Sequence, residues 1–553
     1  MPTVGALKRA EAKKRPDPFF LRPRFLVASA FAEGHTLVSG ASLNAKTPVC
    51  LIHARPSLPF GVHFPSPGNR RILVSVLSST TRLPVSSAAS SHPTSRWDRR
   101  RWLKTVGASA VGVAMPSIVP ASVLGANAPS QRVNLGLIGC GHQSQRIVPS
   151  FLAHDDARIV AVCDVNKSGT GYYYPDQVLG RDTAQRWVEE HYASQTRIGQ
   201  YKGCDTYSDF RDLLARDDID AVIIVVPDHW HALIAIAAMR AGKDVYCEKP
   251  LALTIRQGRA MVNAVREYGR VFQVGAQFRS SPAIRHACEL VRNGRLGEIK
   301  TVRTWVAPNS FEGPGPGWQP QPIPEGFDHA FWLGPAPESP FHKERNFFRW
   351  RYIRDYSNGQ TTNFGAHTND IAQWGLGMDG TTPVEFEDNG SEFLPPGSMF
   401  DTAVKTAFRA RYANGIELIC ETRNSAAAKF EGTEGRLEIT LGGSLKTYPE
   451  NLKDSVIGPD EIHLPVSNPA HTKHVRDEVD ADHAGNFVQA VKAQKDPLEP
   501  VEVGHSSASL CILGSIAQLT KQRFRWDPEK ELSDNAEVNG MLDREMREPW
   551  KLS

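Results

Sequence analysis

The sequence lacks paired cysteines. Its eight cysteines, Cys50, Cys140, Cys163, Cys204, Cys247, Cys288, Cys420 and Cys511, are scattered, and no two have CxxC spacing. Neither a zinc site nor a disulfide framework is signalled. The chain also lacks a strong charge of one sign: 64 Lys+Arg against 60 Asp+Glu leave a formal +4 over 553 residues. That balance hides an asymmetry. Residues 1–128 hold 17 basic and 4 acidic residues, a net of +13, and the remaining 425 carry −9. A basic excess confined to one end argues against broad electrostatic binding of nucleic acid by the body. Hydrophobic content of 41% and charged content of 22% are those of a soluble globular protein. They exclude collagen-like, coiled-coil and wholly disordered chains. At roughly 100–200 residues per domain, the body has room for two or three domains.

The basic end reads as an export signal. Arg99-Arg100-Arg101-Trp102-Leu103-Lys104 precedes a mildly apolar stretch, Thr105 to Ala114, and Ala126-Asn127-Ala128 offers a small-residue cleavage pattern. The arginine cluster resembles a twin-arginine signal, with Trp102 where Phe is usual. The region is a poor membrane span, because Gly107, Gly112, Pro116 and Pro120 interrupt it and a span needs ~20 apolar residues. Residues 96–128 are therefore expected to be a signal peptide that uses the twin-arginine export machinery. Residues 1–95 are rich in Pro, Ser and Arg without helical or strand periodicity. They are expected to be a disordered or mis-assigned extension, with the true start near residue 90.

The body opens on a dinucleotide pattern. A short apolar strand, Arg132 to Ile138, leads into Gly139-Cys140-Gly141-His142-Gln143-Ser144, a helix over 145–153, and a second strand over 158–163 that ends in Asp164. Glycines allow the tight turn and close approach of backbone to a pyrophosphate, and the helix N-terminus faces the phosphates. The third glycine of the pattern is Ser144, at a position that serves helix–strand packing. Asp164 suits a ribose 2′-hydroxyl and repels a 2′-phosphate, so NAD is favoured over NADP. A helix is expected over 207–215, an apolar parallel strand over 221–226 and a helix over 232–241, with Gly242 at its end. The next strand, Asp244 to Cys247, runs into Glu248-Lys249-Pro250.

The set GCGHQS, Asp164, VPDHWHALIAIAAMRAGKDVYCEKPLAL and the later Asn363-Phe364-Gly365-Ala366-His367-Thr368-Asn369-Asp370 strongly resembles the Gfo/Idh/MocA oxidoreductases. The resemblance covers about residues 131–552. It implies an α/β protein in two parts: an N-terminal Rossmann domain with a doubly wound parallel sheet (131–275), and a C-terminal α/β domain with a large, mostly antiparallel sheet (276–553). The second domain would serve substrate binding and oligomerisation. Alternation over 299–305, 402–412 and 416–422, with Asn414-Gly415 as a hairpin turn, fits that sheet. Residues 306–346 read as a long loop, and late helices are expected near 483–492 and 506–520.

The resemblance implies NAD as cofactor and site roles residue by residue. Gly139, Gly141, His142, Ser144, Asp164, Pro227, His231, Glu248, Lys249 and Gln277 would hold the dinucleotide. Lys249 would lie near the nicotinamide and share proton transfer with a substrate hydroxyl, its pKa lowered by burial. The Lys249–Pro250 bond is often cis in the family. His367 matches the catalytic or substrate-binding histidine. The family pattern Asp-x-Gly-x-His-x-x-Asp reads here Asn363-x-Gly365-x-His367-x-x-Asp370, and an amide cannot take a proton. Asn363, Asp370 and Arg279 are expected at the substrate. Asp370 either orients His367 or serves packing, and Arg279 either binds substrate or caps the domain junction. Trp305, Trp318, Trp332, Trp350, Tyr352 and Trp374 gather near the loop, where aromatic faces suit sugars, although packing explains most of them. No metal is expected.

These expectations point to an NAD-dependent oxidoreductase of a sugar, polyol or sugar derivative. Export to the periplasm, where no NAD pool is evident, requires the cofactor to stay bound and to be regenerated in place. Paired oxidation and reduction of two sugars does this. Transient oxidation, elimination and re-reduction of a glycoside does so too, and that makes an NAD-dependent glycoside-cleaving enzyme the rival reading. A sugar sensor is the third, opposed by the intact Glu248-Lys249-Pro250 and His367. A homo-oligomer is expected, with no nucleic-acid partner.

Overall fold

Six short strands form one sheet: β1 (Val133–Ile138), β2 (Ala157–Cys163), β3 (Asp205–Tyr207), β4 (Ala221–Ile224), β5 (Asp244–Glu248) and β6 (Phe272–Gly275). Their order is β3-β2-β1-β4-β5-β6, and every pairing is parallel. In the computed structural model, residues 132–467 and 478–552 are described, all within the unit Gly112–Ser553. The proposed extension (1–95), the signal peptide (96–128) and Cys50 lie outside the described residues. Strand β4 is apolar and buried throughout, as helices on both faces of a parallel sheet require. Strand order reverses between β1 and β4, so a crevice opens at their carboxyl ends.

Two local readings of this half are corrected. Tyr207 ends β3, and the following helix covers only Phe210–Leu214, because the Asp209 carboxylate accepts from Arg211 N and starts it there. The helix after β4 begins at Asp228, four residues earlier than expected. Pro227 is its N-cap, and an acid in the first turn suits the positive end of the helix dipole. His229 and His231 are thus helical.

A second sheet has nine strands in the order β13-β12-β11-β7-β10-β9-β8-β14-β15. They are β7 (Ile299–Val306), β8 (Glu385–Asp388), β9 (Ala407–Arg411), β10 (Glu417–Thr422), β11 (Ala427–Gly432), β12 (Arg436–Thr440), β13 (Leu445–Tyr448), β14 (Phe524–Asp527) and β15 (Leu532–Ser533). Only β7 with β10 is parallel. The β9–β10 hairpin turns at Asn414-Gly415, where the Asn414 side chain accepts from Ile416 N. The strand expected from residue 402 starts only at Ala407. Thr402 instead donates from its hydroxyl to the Tyr352 carbonyl, and Thr406 N donates to the Thr422 hydroxyl. Such local bonds draw the backbone out of the ladder.

The helix Gly365–Leu376 lies against this sheet. At Gly375 an added Cβ would sit 2.6 Å from the Phe430 ring, so the helix can approach β11 this closely only with glycine there. The late helices are Glu478–Ala493, which packs on Ser144–Leu152, and Val501–Thr520, which packs on Gly365–Leu376 and on Ile255–Tyr268. The second joins the two halves. Leu510, Leu513 and Ile516 on it are buried, each worth about 1.5–3 kcal/mol. The seven described cysteines are free and buried. Among the described residues no helix is long and apolar enough to cross a membrane.

Candidate dinucleotide and substrate site

The carboxyl ends of β1, β2, β4 and β5 open into a cavity of about 420 Å³, closed on the far side by residues 310–367. Its glycine end is built by backbone. Gly139 has φ +98, and an added Cβ would lie 2.2 Å from the Val225 carbonyl oxygen, so no other residue fits. Among the described residues, the N–H groups of Gly141, His142 and Gln143 meet no protein acceptor. They sit at the N-terminus of the helix Ser144–Leu152, the arrangement that receives a phosphate. Ser144 is fully buried, and its hydroxyl donates to the Gly141 carbonyl at 2.6 Å. The side chain that replaces the third glycine is therefore satisfied locally.

Asp164 closes β2. One carboxylate oxygen accepts from Cys140 N at 2.6 Å and the other from Asn166 N at 2.7 Å. Each oxygen keeps a free lone pair for a ribose hydroxyl. Burial raises its pKa, and the two backbone bonds oppose that. The residues present fit a dinucleotide: a glycine cradle with unused N–H groups, an acid at the second strand end, and the buried Gln277 Oε1 without a partner on the cavity wall.

Lys249 stands at the other end, on the cis peptide Lys249–Pro250. Its ammonium donates to the backbone carbonyl and to the side-chain oxygen of Asn363, each at 3.0 Å. Asn363 Nδ2 donates in turn to Gln360. Burial lowers the Lys249 pKa; Glu248 opposes this and Arg351 adds to it. Burial raises Glu248 to about 7. His367 is 7% exposed, its Nδ1 has no partner, and Phe278 meets its ring edge-on at 4.7 Å. Burial first, then Lys249, holds its pKa well below the usual histidine value. A histidine that is neutral at pH 7 therefore faces the same space as the lysine.

Gly139, Gly141, His142, Asp164, Pro227, Glu248, Lys249, Gln277, Asn363 and His367 all line this cavity. Four predicted site residues do not. Arg279 and Asp370 form a buried bidentate pair, with bonds of 2.8 and 2.6 Å, joined by Asp379, Glu499 and the Ser507 hydroxyl. Arg279 also lies over Trp374. Of the roles left open by the sequence, the junction and packing roles fit this geometry: the pair clamps the segment after β6 to the His367 helix, off the cavity wall. His231 is fully buried, its ring nitrogens 2.7 Å from the Pro250 carbonyl and 3.0 Å from the Val226 carbonyl. It ties two strand ends together behind the cavity wall. Ser144 lies beneath the loop.

Other wall residues went unpredicted. Asp228 is buried and accepts from the Ser357 hydroxyl at 2.6 Å. Tyr172 and Tyr173 come from the loop after β2, and Tyr172 packs 3.3 Å from the Cβ position of Gly141. Arg351 projects from the turn Arg349–Tyr352. Of the aromatics named from sequence, Trp332, Trp350 and Tyr352 line the cavity, whereas Trp305, Trp318 and Trp374 do not. An acid directly after Pro227 was the one signal that pointed to Asp228. Among the described residues no cluster of three or more His, Cys, Asp or Glu is placed to hold a metal ion.

Fold and site together define a dinucleotide-binding α/β protein with a second domain on a mostly antiparallel sheet. Family comparison agrees. The Gfo/Idh/MocA oxidoreductase family matches through its NAD-binding Rossmann fold over residues 133–276 and its C-terminal alpha/beta domain over 311–460. The two stretches take in more than half of the chain, which belongs to this family and carries its NAD-binding domain.

Levoglucosan dehydrogenase of Pseudarthrobacter phenanthrenivorans is 41% identical over 109 residues, 19% of this chain and 28% of that protein. A glycosyl hydrolase family 109 protein of Shewanella pealeana is 32% identical over 216 residues, 36% of this chain and 44% of that protein. The chain thus spans less than half the length of these curated relatives. The solved levoglucosan dehydrogenase, in complex with NADH and levoglucosan, shares the fold with a TM-score of 0.51 at 20% identity, over 71% of this chain and 99% of that one.

Proposed function

We propose that the chain is an NAD-dependent oxidoreductase that acts on a sugar, polyol or sugar derivative. The observation that carries this is the convergence of Lys249 and His367, both with lowered pKa, on the cavity that starts at the glycine loop. NAD, when bound, supplies the hydride acceptor. Lys249, biased by burial toward the neutral amine, takes the proton of a substrate hydroxyl as that carbon becomes a carbonyl. Asn363 holds the Lys249 nitrogen but accepts no proton. The proton therefore rests on Lys249 or passes to the neutral His367, which also orients the neighbouring hydroxyl. Trp332, Trp350 and Tyr352 offer apolar faces to the sugar and exclude water.

A second reading is NAD-dependent glycoside cleavage, in which the same proton handling starts and ends a cycle without net redox change. The family 109 glycosyl hydrolases among the relatives favour it. Purified protein given sugar and aryl-glycoside panels separates the two: an oxidised sugar supports the first reading, and a released aglycone with no oxidised product supports the second.

The proposal includes export. Arg99-Arg100-Arg101-Trp102 supports passage through the twin-arginine machinery to the periplasm, with the cofactor carried inside the folded enzyme. Replacing the arginines by lysine should leave the protein in the cytoplasm; unchanged export would contradict this. Assembly as a homo-oligomer, with a small carbohydrate as substrate, completes the reading and is tested by sedimentation.

A further inference from the structure

Three cationic side chains reach the cavity wall: Arg146, Lys249 and Arg351. Arg146 pairs with the Asp480 carboxylate at 2.9 Å, and Lys249 is held by Asn363. Arg351 has neither kind of partner among the described residues. Its one hydrogen bond among the described residues goes to the Phe348 carbonyl. Its guanidinium stands 3.9 Å from the Phe348 ring centroid and 4.5 Å from that of Trp350. Stacked on rings, a guanidinium presents its N–H groups in plane, and with Nη1 engaged by Phe348 the Nε–Nη2 edge is left to pair. Arg351 is half-buried, and a cation partly withdrawn from water without a counter-ion is disfavoured, a cost that ring faces offset only in part. Asp228 acts on it through space but makes no ion pair or hydrogen bond with it among the described residues, and accepts from Ser357 instead.

The position narrows which anion this side chain suits. Arg351 belongs to the turn that also supplies Trp350 and Tyr352, on the wall contributed by the second domain. The phosphates of a dinucleotide have their own receptor in the unused N–H groups of the glycine loop. A guanidinium fork matches a carboxylate through two parallel bonds; of the other two cations on the described wall, Arg146 is paired with Asp480 and Lys249 is held by Asn363 and biased by burial toward the neutral amine. We propose that Arg351 receives a carboxylate carried by the substrate, so that the cavity prefers sugar acids over neutral sugars. The proposal rests on the oxidoreductase reading and specifies its substrate class.

The test uses the full chain loaded with NADH. Binding of D-glucuronate and D-galacturonate is compared by calorimetry with that of D-glucose and D-galactose, and NADH binding is followed separately by its fluorescence. The uronates should bind tighter by about 10- to 100-fold. Arg351→Gln should abolish that difference and leave NADH binding unchanged. Arg351→Lys, which keeps charge but not the fork, should fold and lose most of the preference. Equal affinity for acid and neutral sugars in the wild type, or a preference that survives Arg351→Gln, would overturn the proposal. So would weaker NADH binding with an unaltered sugar preference, which would assign Arg351 to the pyrophosphate instead. Wild-type protein that binds no NADH would strike the oxidoreductase reading itself.

Discussion

The Lys249 ammonium is gripped by a single residue 114 positions away, donating to both the backbone carbonyl and the side-chain oxygen of Asn363 at 3.0 Å. One residue thus positions the lysine without neutralising it. An aspartate at 363, as in the usual family pattern, would hold the ammonium charged; the amide leaves its pKa to burial and to its neighbours.

Asn363→Asp should therefore slow oxidation at neutral pH. A carboxylate beside Lys249 favours the ammonium and raises its pKa by about 1 unit or more. The working form is the neutral amine, so activity rises with pH through that pKa, and the variant's rising limb should move to higher pH. A pH profile of kcat/KM checks this. An unmoved limb would remove Lys249 as the titrating base.

Acid should weaken the protein through its buried histidines. Burial holds His229 at about 3, His142 at about 4 and His483 at about 4, all below the unfolded value of 6.5. Below pH 6.5 the unfolded chain binds more protons at these sites than the folded one, so stability falls as pH falls toward the folded values. At pH 4.5 the loss is about 2–3 kcal/mol for each of the fully buried His229 and His483. Denaturant titrations at pH 7 and 4.5 measure it. His483→Gln should flatten the dependence, even if it lowers stability at pH 7.

Arg279→Met should cost about 3–5 kcal/mol, because it strands the Asp370 carboxylate in the interior. Asp379→Asn should cost much less, since that side chain is 29% exposed. Urea melts rank the two. A ranking with Asp379→Asn as the worse variant would contradict the clamp assigned to Arg279 and Asp370.

Cofactor choice should follow Asp164. Asp164→Ser removes the acid that disfavours a 2′-phosphate, so the ratio of NADP to NAD affinity should rise by about tenfold or more. Ser144→Gly should change NAD affinity only slightly, because the Ser144 hydroxyl is spent on the Gly141 carbonyl. Fluorescence titrations with both reduced dinucleotides read these out.

Much of this was legible in the sequence, for local reasons. Apolar runs such as Ala221 to Ile224 declare buried parallel strands, and Gly139, Asp164 and Lys249 fall at strand ends, where ligands bind in such sheets. What stayed hidden depends on partners far along the chain. Arg279 and Asp370 look like site residues until they are seen paired with each other, 91 residues apart, and His231 until both ring nitrogens face carbonyls. Arg351 is one of several arginines in an aromatic loop. Its lack of a carboxylate partner among the described residues is a property of the folded cavity and leaves no trace in spacing.

The central claim is that Lys249 handles the proton while the cavity holds NAD and a sugar. It is tested most directly by single-turnover absorbance of the nicotinamide, with sugar mixed into NAD-loaded wild type and Lys249→Met. Wild type should reduce the nicotinamide, and Lys249→Met should bind NAD as well but reduce it about 100- to 10,000-fold more slowly. Equal rates in the two proteins would contradict the account.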